Sequence, residues 1–75
     1  MMENRIKNVM SAVFEISVEE INDQTSSESI DSWDSLNLMN LIVSLEEEFD
    51  IQFDDQEIAE MLNFKLICEI IYQKL

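Results

Sequence analysis

Apolar residues recur at helical spacing along most of this chain. Near its start Ile6, Val9, Met10 and Val13 stand at i, i+3, i+4 and i+7, one stripe of an amphipathic helix expected over residues 3–14. Residues 15–33 lose that spacing. They are rich in Ser, Asn, Asp and Glu, and Ile16, Val18, Ile21, Ile30 and Trp33 are their apolar tethers. This predicts a long loop that packs down on the helices. Helical spacing returns over residues 35–49, where Asp34 or Ser35 offers a side-chain oxygen as N-cap. Residues 50–53 form a turn. Asp54, with Glu57 three places on, makes a capping box for a short helix over residues 55–62. Asn63 caps a last helix, residues 64–74, with Leu66, Ile67, Ile70 and Ile71 on its core face.

The expected fold class is therefore all-α. It is a small four-helix bundle of three main helices plus a short third one, with a long loop between helices 1 and 2. The stretch "FDIQF" is compatible with a strand but too short to build a sheet. There is neither Gly nor Pro, so the turns fall to Asn, Asp, Ser and Gln. No repeat or linker interrupts the pattern, and residues 1–75 are expected to form one domain.

The second helix carries two apolar stripes rather than one. At about 100° per residue, Leu38, Leu41, Ile42, Leu45 and Phe49 fall on one side. Leu36, Met39 and Val43 fall on nearly the opposite side. A small bundle buries one broad stripe per helix, so the Leu36–Met39–Val43 stripe is expected to stay partly exposed, as a docking surface. The competing expectation is that the long loop folds over this stripe and makes it core. Cys68 lies off the main apolar face of the last helix and is expected to be a small packing residue.

Charge changes the picture. Seventeen acids against four bases give a net charge of −13, and between Asn8 and Phe64 there are 15 acids and no base. Such a surface repels nucleic acid and attracts positively charged partners. By itself it also fits a solvated face that confers only solubility. Chemistry is sparse: one cysteine, no histidine, no Cys-rich zinc pattern. A lone thiol with no secretory signal fits a reducing cytosol, and no apolar run nears the ~18–20 residues of a membrane span. A soluble, cytoplasmic monomer is expected.

Ser35, in "SWDSLNLMN", is the residue most in need of an explanation. A nucleophilic serine requires a base, and histidine is absent. There is no Gly-x-Ser-x-Gly elbow, and the lysines stand far off in sequence. A phosphate-binding loop fails for want of glycine and of a basic residue. Asp23, Thr25, Ser27, Asp31 and Asp34 have spacings like those of a calcium loop, but Glu28 occupies the glycine position and Asp34 the place of the bidentate Glu. No metal site and no enzymatic activity are expected. The serine is left as an attachment point, or as a mere helix cap.

Asp34-Ser35-Leu36, followed by an apolar helix ending in "SLEEEFDIQF", closely resembles the acyl carrier protein family, and the resemblance covers nearly the whole chain. It implies that Ser35 receives a 4′-phosphopantetheine arm from coenzyme A, through a phosphopantetheinyl transferase that reads Asp34, with Asp34 and Leu36 flanking the serine in the cofactor-binding motif. The arm's thiol then holds an acyl or aminoacyl group as a thioester. Partners of the acyl ligase, acyltransferase or ketosynthase type would dock through basic patches on Leu36, Met39 and Val43, with Glu46, Glu47 and Glu48 supplying charge. Leu38 and Ile42 would border the space for a folded-back acyl chain, unless they are ordinary core.

Four positions depart from the family's pattern. Ser32 stands where a glycine is usual, Asn37 and Asn40 where acids are usual, and Asp54 where a proline is common. The "Trp-Asp-Ser-Leu-Asn" form is more similar to stand-alone carriers of specialised pathways than to the carrier of bulk fatty acid synthesis. The alternative function is an unmodified acidic helical adaptor for basic partner proteins, with Ser35 only a cap.

Overall fold

A computed structural model describes residues 2–75. The chain forms α1 (Met2–Phe14), a single 3-10 turn (Val18–Glu20), α2 (Ser35–Phe49), α3 (Asp55–Ala59) and α4 (Phe64–Lys74). No strand forms among the described residues; the one bridge is an isolated pairing of Ser26 with Asn63. The four-helix arrangement matches the hydrophobic pattern closely.

Helices α2, α3 and α4 each begin on an oxygen-bearing side chain. Asp34 accepts from the Asn37 N–H, Asp54 from Glu57 and Asn63 from Leu66. Glu57 returns the favour to the Asp54 N–H, which completes the capping box. The ends are less orthodox. With no glycine available, Glu15 (φ 56°) and Asp50 (φ 54°) take the left-handed conformation just past α1 and α2. The next N–H in each case reaches back to close the last turn, Ile16 to the Ser11 carbonyl and Ile51 to that of Glu46, both at 3.2 Å. Asp at such a position was within the expected turn formers. Glu15 was not, and helix closure overrides its preference.

Ile6, Met10 and Phe14 of α1, Leu41, Ile42, Leu45 and Phe49 of α2, and Phe64, Ile67, Cys68, Ile70 and Ile71 of α4 form the core. Cys68 is thus buried, and α4 presents a broader apolar face than the four residues expected; Leu66 is only half-buried. The third helix is shorter than expected. It ends at Ala59 because the chain tightens there: Met61 N–H bonds the Ile58 carbonyl and Leu62 N–H that of Glu60. This turns Met61 into the core and leaves Leu62 60% exposed.

The loop packs down through Ile21 and Trp33, which are buried, and Ile16 and Ile30, which are partly buried against the core. Thr25 is its polar anchor. Its buried hydroxyl accepts from the Asn22 N–H at 2.9 Å, and its carbonyl accepts from the Phe64 N–H at 2.8 Å. The loop is thereby tied to the start of α4, and its end is delivered to the start of α2.

Candidate attachment site and docking face

Ser35 is the first residue of α2, and it is exposed. The capping duty belongs to its neighbour: Asp34 Oδ1 accepts from the Asn37 N–H at 2.9 Å. The serine hydroxyl is not needed to hold the helix end. This resolves the choice of cap that the sequence left open between the two residues.

What precedes Ser35 is held firmly. Trp33 is buried and stacks on Phe14, with ring centroids 5.0 Å apart and planes 21° apart. Such a pair contributes roughly 0.5–1.5 kcal/mol beyond the area it buries. Beside it, the Ser32 hydroxyl donates to the Phe14 carbonyl at 2.9 Å. The turn that carries the serine is therefore fastened to the C-terminal end of α1 by one aromatic and one polar contact. Ser32 supplies a hydrogen bond that a glycine there could not.

A phosphodiester on Ser35 suits these surroundings. It would sit at the N-terminal end of a four-turn helix, where the partial charge of the first backbone N–H groups is positive. No acidic side chain lies in the first turn of α2, and the neighbouring Asp34 carboxylate is engaged by the Asn37 N–H. The residues present fit a covalently attached 4′-phosphopantetheine. When attached, that group supplies a thiol able to hold an acyl group as a thioester.

Along α2 the second apolar stripe is open. Leu36, Met39 and Val43 are 72%, 51% and 51% exposed, so the long loop does not cover them. On the opposite side Leu41, Ile42, Leu45 and Phe49 are buried and Leu38 is half-buried. Ile42 is thus a core residue, and Leu38 packs partly against that core.

The three glutamates at the end of α2 are not equivalent. Glu46 is half-buried and accepts from the Phe53 N–H at 3.0 Å, holding the turn into α3. Glu48 pairs with Arg5, whose Nε lies 2.8 Å from the carboxylate while its other arm donates to the Glu48 carbonyl at 2.8 Å. Arg5 also covers the Phe49 ring, 4.5 Å from its centroid. Glu47 is exposed and takes part in neither arrangement. Sequence alone gave no way to rank the three, because the partners of Glu46 and Glu48 come from elsewhere in the chain.

Cys68 offers no second reactive thiol. Burial, above all, pushes it up to about 11. Among the described residues no cluster of His, Cys, Asp or Glu could hold a metal ion, and no helix is long and apolar enough to cross a membrane.

Comparison with known proteins agrees with this geometry. The family model for the phosphopantetheine attachment site matches residues 4–71. The chain is 42% identical over 62 residues to the acyl carrier protein of Buchnera aphidicola subsp. Schizaphis graminum, covering 83% of this chain and 77% of that protein. It is 29% identical over 73 residues to the acyl carrier protein of Nitratidesulfovibrio vulgaris, covering 97% and 96%. Its fold superposes on the solution structure of a holo acyl carrier protein from Geobacter metallireducens with a TM-score of 0.86 at 32% identity, covering 96% of this chain and 83% of that one. An all-α bundle that presents a serine at a helix head, with no catalytic apparatus around it, is what a carrier requires, and the chain belongs to the phosphopantetheine attachment-site family of acyl carrier proteins, which bear a covalent 4′-phosphopantetheine and catalyse no reaction themselves.

Proposed function

We propose that Ser35 is the attachment point of the arm, and that the loaded carrier hands an acyl or aminoacyl group to enzymes with basic docking patches. In the loading step the Ser35 oxygen attacks the phosphorus of coenzyme A that bears the pantetheine. An O–P bond forms there, the pyrophosphate link breaks with 3′,5′-ADP leaving, and the serine proton passes to the transferase. The observation that carries this reading is the division of labour at the head of α2. Asp34 caps the helix while Ser35, next to it, stands exposed. The adaptor alternative would have Ser35 serve only as a cap, a duty that Asp34 performs.

The docking face is the exposed Leu36–Met39–Val43 stripe. Charge complementarity selects its occupant: a chain of net charge −13 attracts enzymes with a basic surface. Of the three acids at the end of α2, Glu47 is the one left free to meet such a partner, and Glu46 and Glu48 contribute mainly by shaping the helix end. The neutral Asn37 and Asn40 on this helix favour a pathway of the specialised, polyketide-like or modified fatty acyl kind. The reaction takes place in the cytoplasm, where coenzyme A and the partner enzymes are available.

Mass spectrometry tests the attachment. After incubation with coenzyme A and a broad-specificity phosphopantetheinyl transferase, the wild type is expected to gain the mass of one arm and Ser35→Ala to gain none. An unchanged wild type, or an arm still added to Ser35→Ala, would overturn the assignment.

A further inference from the structure

We infer that Asn37 and Asn40 are positioning residues, which together clamp the turn that presents Ser35. The inference rests on the reading of Ser35 as the attachment point, and it deepens that reading. The Ser32 carbonyl is shared by two donors: the Asp34 backbone N–H at 3.0 Å and the Asn37 side-chain amide, through Nδ2, at 2.7 Å. Asp34 in turn accepts from the Asn37 backbone N–H through Oδ1 at 2.9 Å. Residues 32, 34 and 37 therefore form a closed polar ring in the turn that presents the exposed Ser35.

An amide can face either way, and only one orientation serves the ring. Asn40, one turn further along α2, fixes it by donating its Nδ2–H to Asn37 Oδ1 at 3.2 Å. With its oxygen so engaged, Asn37 must aim its N–H group at the Ser32 carbonyl. The chain of donors continues beyond the ring, since the Ser32 hydroxyl donates to the Phe14 carbonyl at 2.9 Å. Asn40, Asn37 and Ser32 thus link the first turns of α2 to the last turn of α1. Successive hydrogen bonds of this kind orient and strengthen one another. A carboxylate at position 37 is an acceptor only and cannot donate to a carbonyl. The two asparagines have a structural task, apart from any effect that their lack of charge has on partners.

A transferase that must accept the turn in one conformation gains when that conformation is already formed in the free protein. Amide hydrogen exchange and transferase kinetics, measured on the intact chain, test this. In Asn37→Ala and Asn37→Asp the Asp34 amide is expected to exchange faster. The kcat/KM for arm transfer to Ser35 should fall roughly fivefold, the worth of one hydrogen bond, through KM and with kcat little changed. Asn40→Ala, which keeps the donor but frees its orientation, should show a smaller shift of both readouts in the same direction, and it carries the test should either Asn37 variant not fold.

Unchanged exchange at Asp34 overturns the clamp. So does a loss of kcat/KM confined to Asn37→Asp, because charge rather than a missing donor is then responsible. In both cases a wild type that takes the arm leaves the attachment reading standing. A wild type that takes no arm overturns that reading and the positioning role with it.

Discussion

At the scale of single residues, position on a helix matters more than residue type. Asp34 and Ser35 both have an oxygen suited to capping, yet only Asp34 is set back far enough to accept from the Asn37 N–H. Ser35 falls inside the helix and is left exposed, as the proposed attachment requires. Met39 and Leu41 are both large apolar residues of the same helix, yet Met39 is half in solvent and Leu41 is fully buried. The proposal that Met39 belongs to a docking face can be tested by charging it. Met39→Glu is expected to keep the thermal midpoint within about 3 °C, since surface changes usually cost under ~0.5 kcal/mol. The same change should weaken arm transfer several-fold, read as a rise in the transferase's KM. A large drop in midpoint would mean that Met39 supports the core.

At the scale of elements, α3 is the piece held by the least apolar contact. It has five residues and none of them is buried; Ile58 alone packs partly on the core. Polar contacts compensate. Glu57 accepts from the Asp54 N–H at 3.0 Å and from Lys74 Nζ at 2.9 and 3.1 Å, tying α3 to the end of α4. Those contacts, the backbone one foremost and Lys74 next, hold the Glu57 carboxyl below its usual 4.5. The consequence for stability has a definite sign. A group whose folded pKa is depressed contributes stability that is present above its unfolded pKa and is lost as pH falls through the folded one. The contacts of α3 are therefore at full strength at neutral pH and fail as the solution is acidified below the usual 4.5 and through the lower folded value. Residue-resolved hydrogen exchange should show residues of α3 losing protection on acidification before those of α2. In Glu57→Gln the low protection of α3 should already be present at pH 7, with no further acid step.

At the scale of the whole molecule, three of the four bases, Arg5, Lys7 and Lys74, help to hold the bundle together. Arg5 joins the start of α1 to the end of α2, and Lys74 joins α4 to α3. Lys7 lies over the Phe64 ring at 5.6 Å, and Lys74 also lies over the Phe53 ring at 5.9 Å. Against them stand seventeen acids on a molecule only 26 × 26 × 19 Å in extent. Self-repulsion of that charge opposes the compact state, and salt screens it within about 10 Å at 0.1 M. Raising sodium chloride from about 10 mM to about 150 mM should increase the thermal midpoint, since the repulsion outweighs two ion pairs. Arm transfer by a basic transferase should slow over the same range, because screening also removes the attraction between partners. A midpoint that falls with salt would mean that the ion pairs outweigh the repulsion.

The helices, their starts and the two faces of α2 were legible in the sequence because each depends on residues within one or two turns of one another. Periodicity placed α2 over Ser35–Phe49, and Asp54 with Glu57 announced the third helix. Asp34-Ser35-Leu36 at the head of an apolar helix pointed to a carrier, and the family match over residues 4–71 agrees. Contacts between residues distant in the chain could not be read that way. Ser32 meeting the Phe14 carbonyl, Arg5 neutralising Glu48, and Thr25 fastening the loop to Phe64 all span 18 or more positions. Even the Asn37–Ser32 contact, five residues long, depends on the loop being folded back by the Trp33–Phe14 stack. Local pattern determines where helices form and which sides are apolar, because propensity and capping act between near neighbours. Only the packed chain decides which of three glutamates stays free and how firmly the serine's turn is held, because those outcomes depend on what the fold brings alongside.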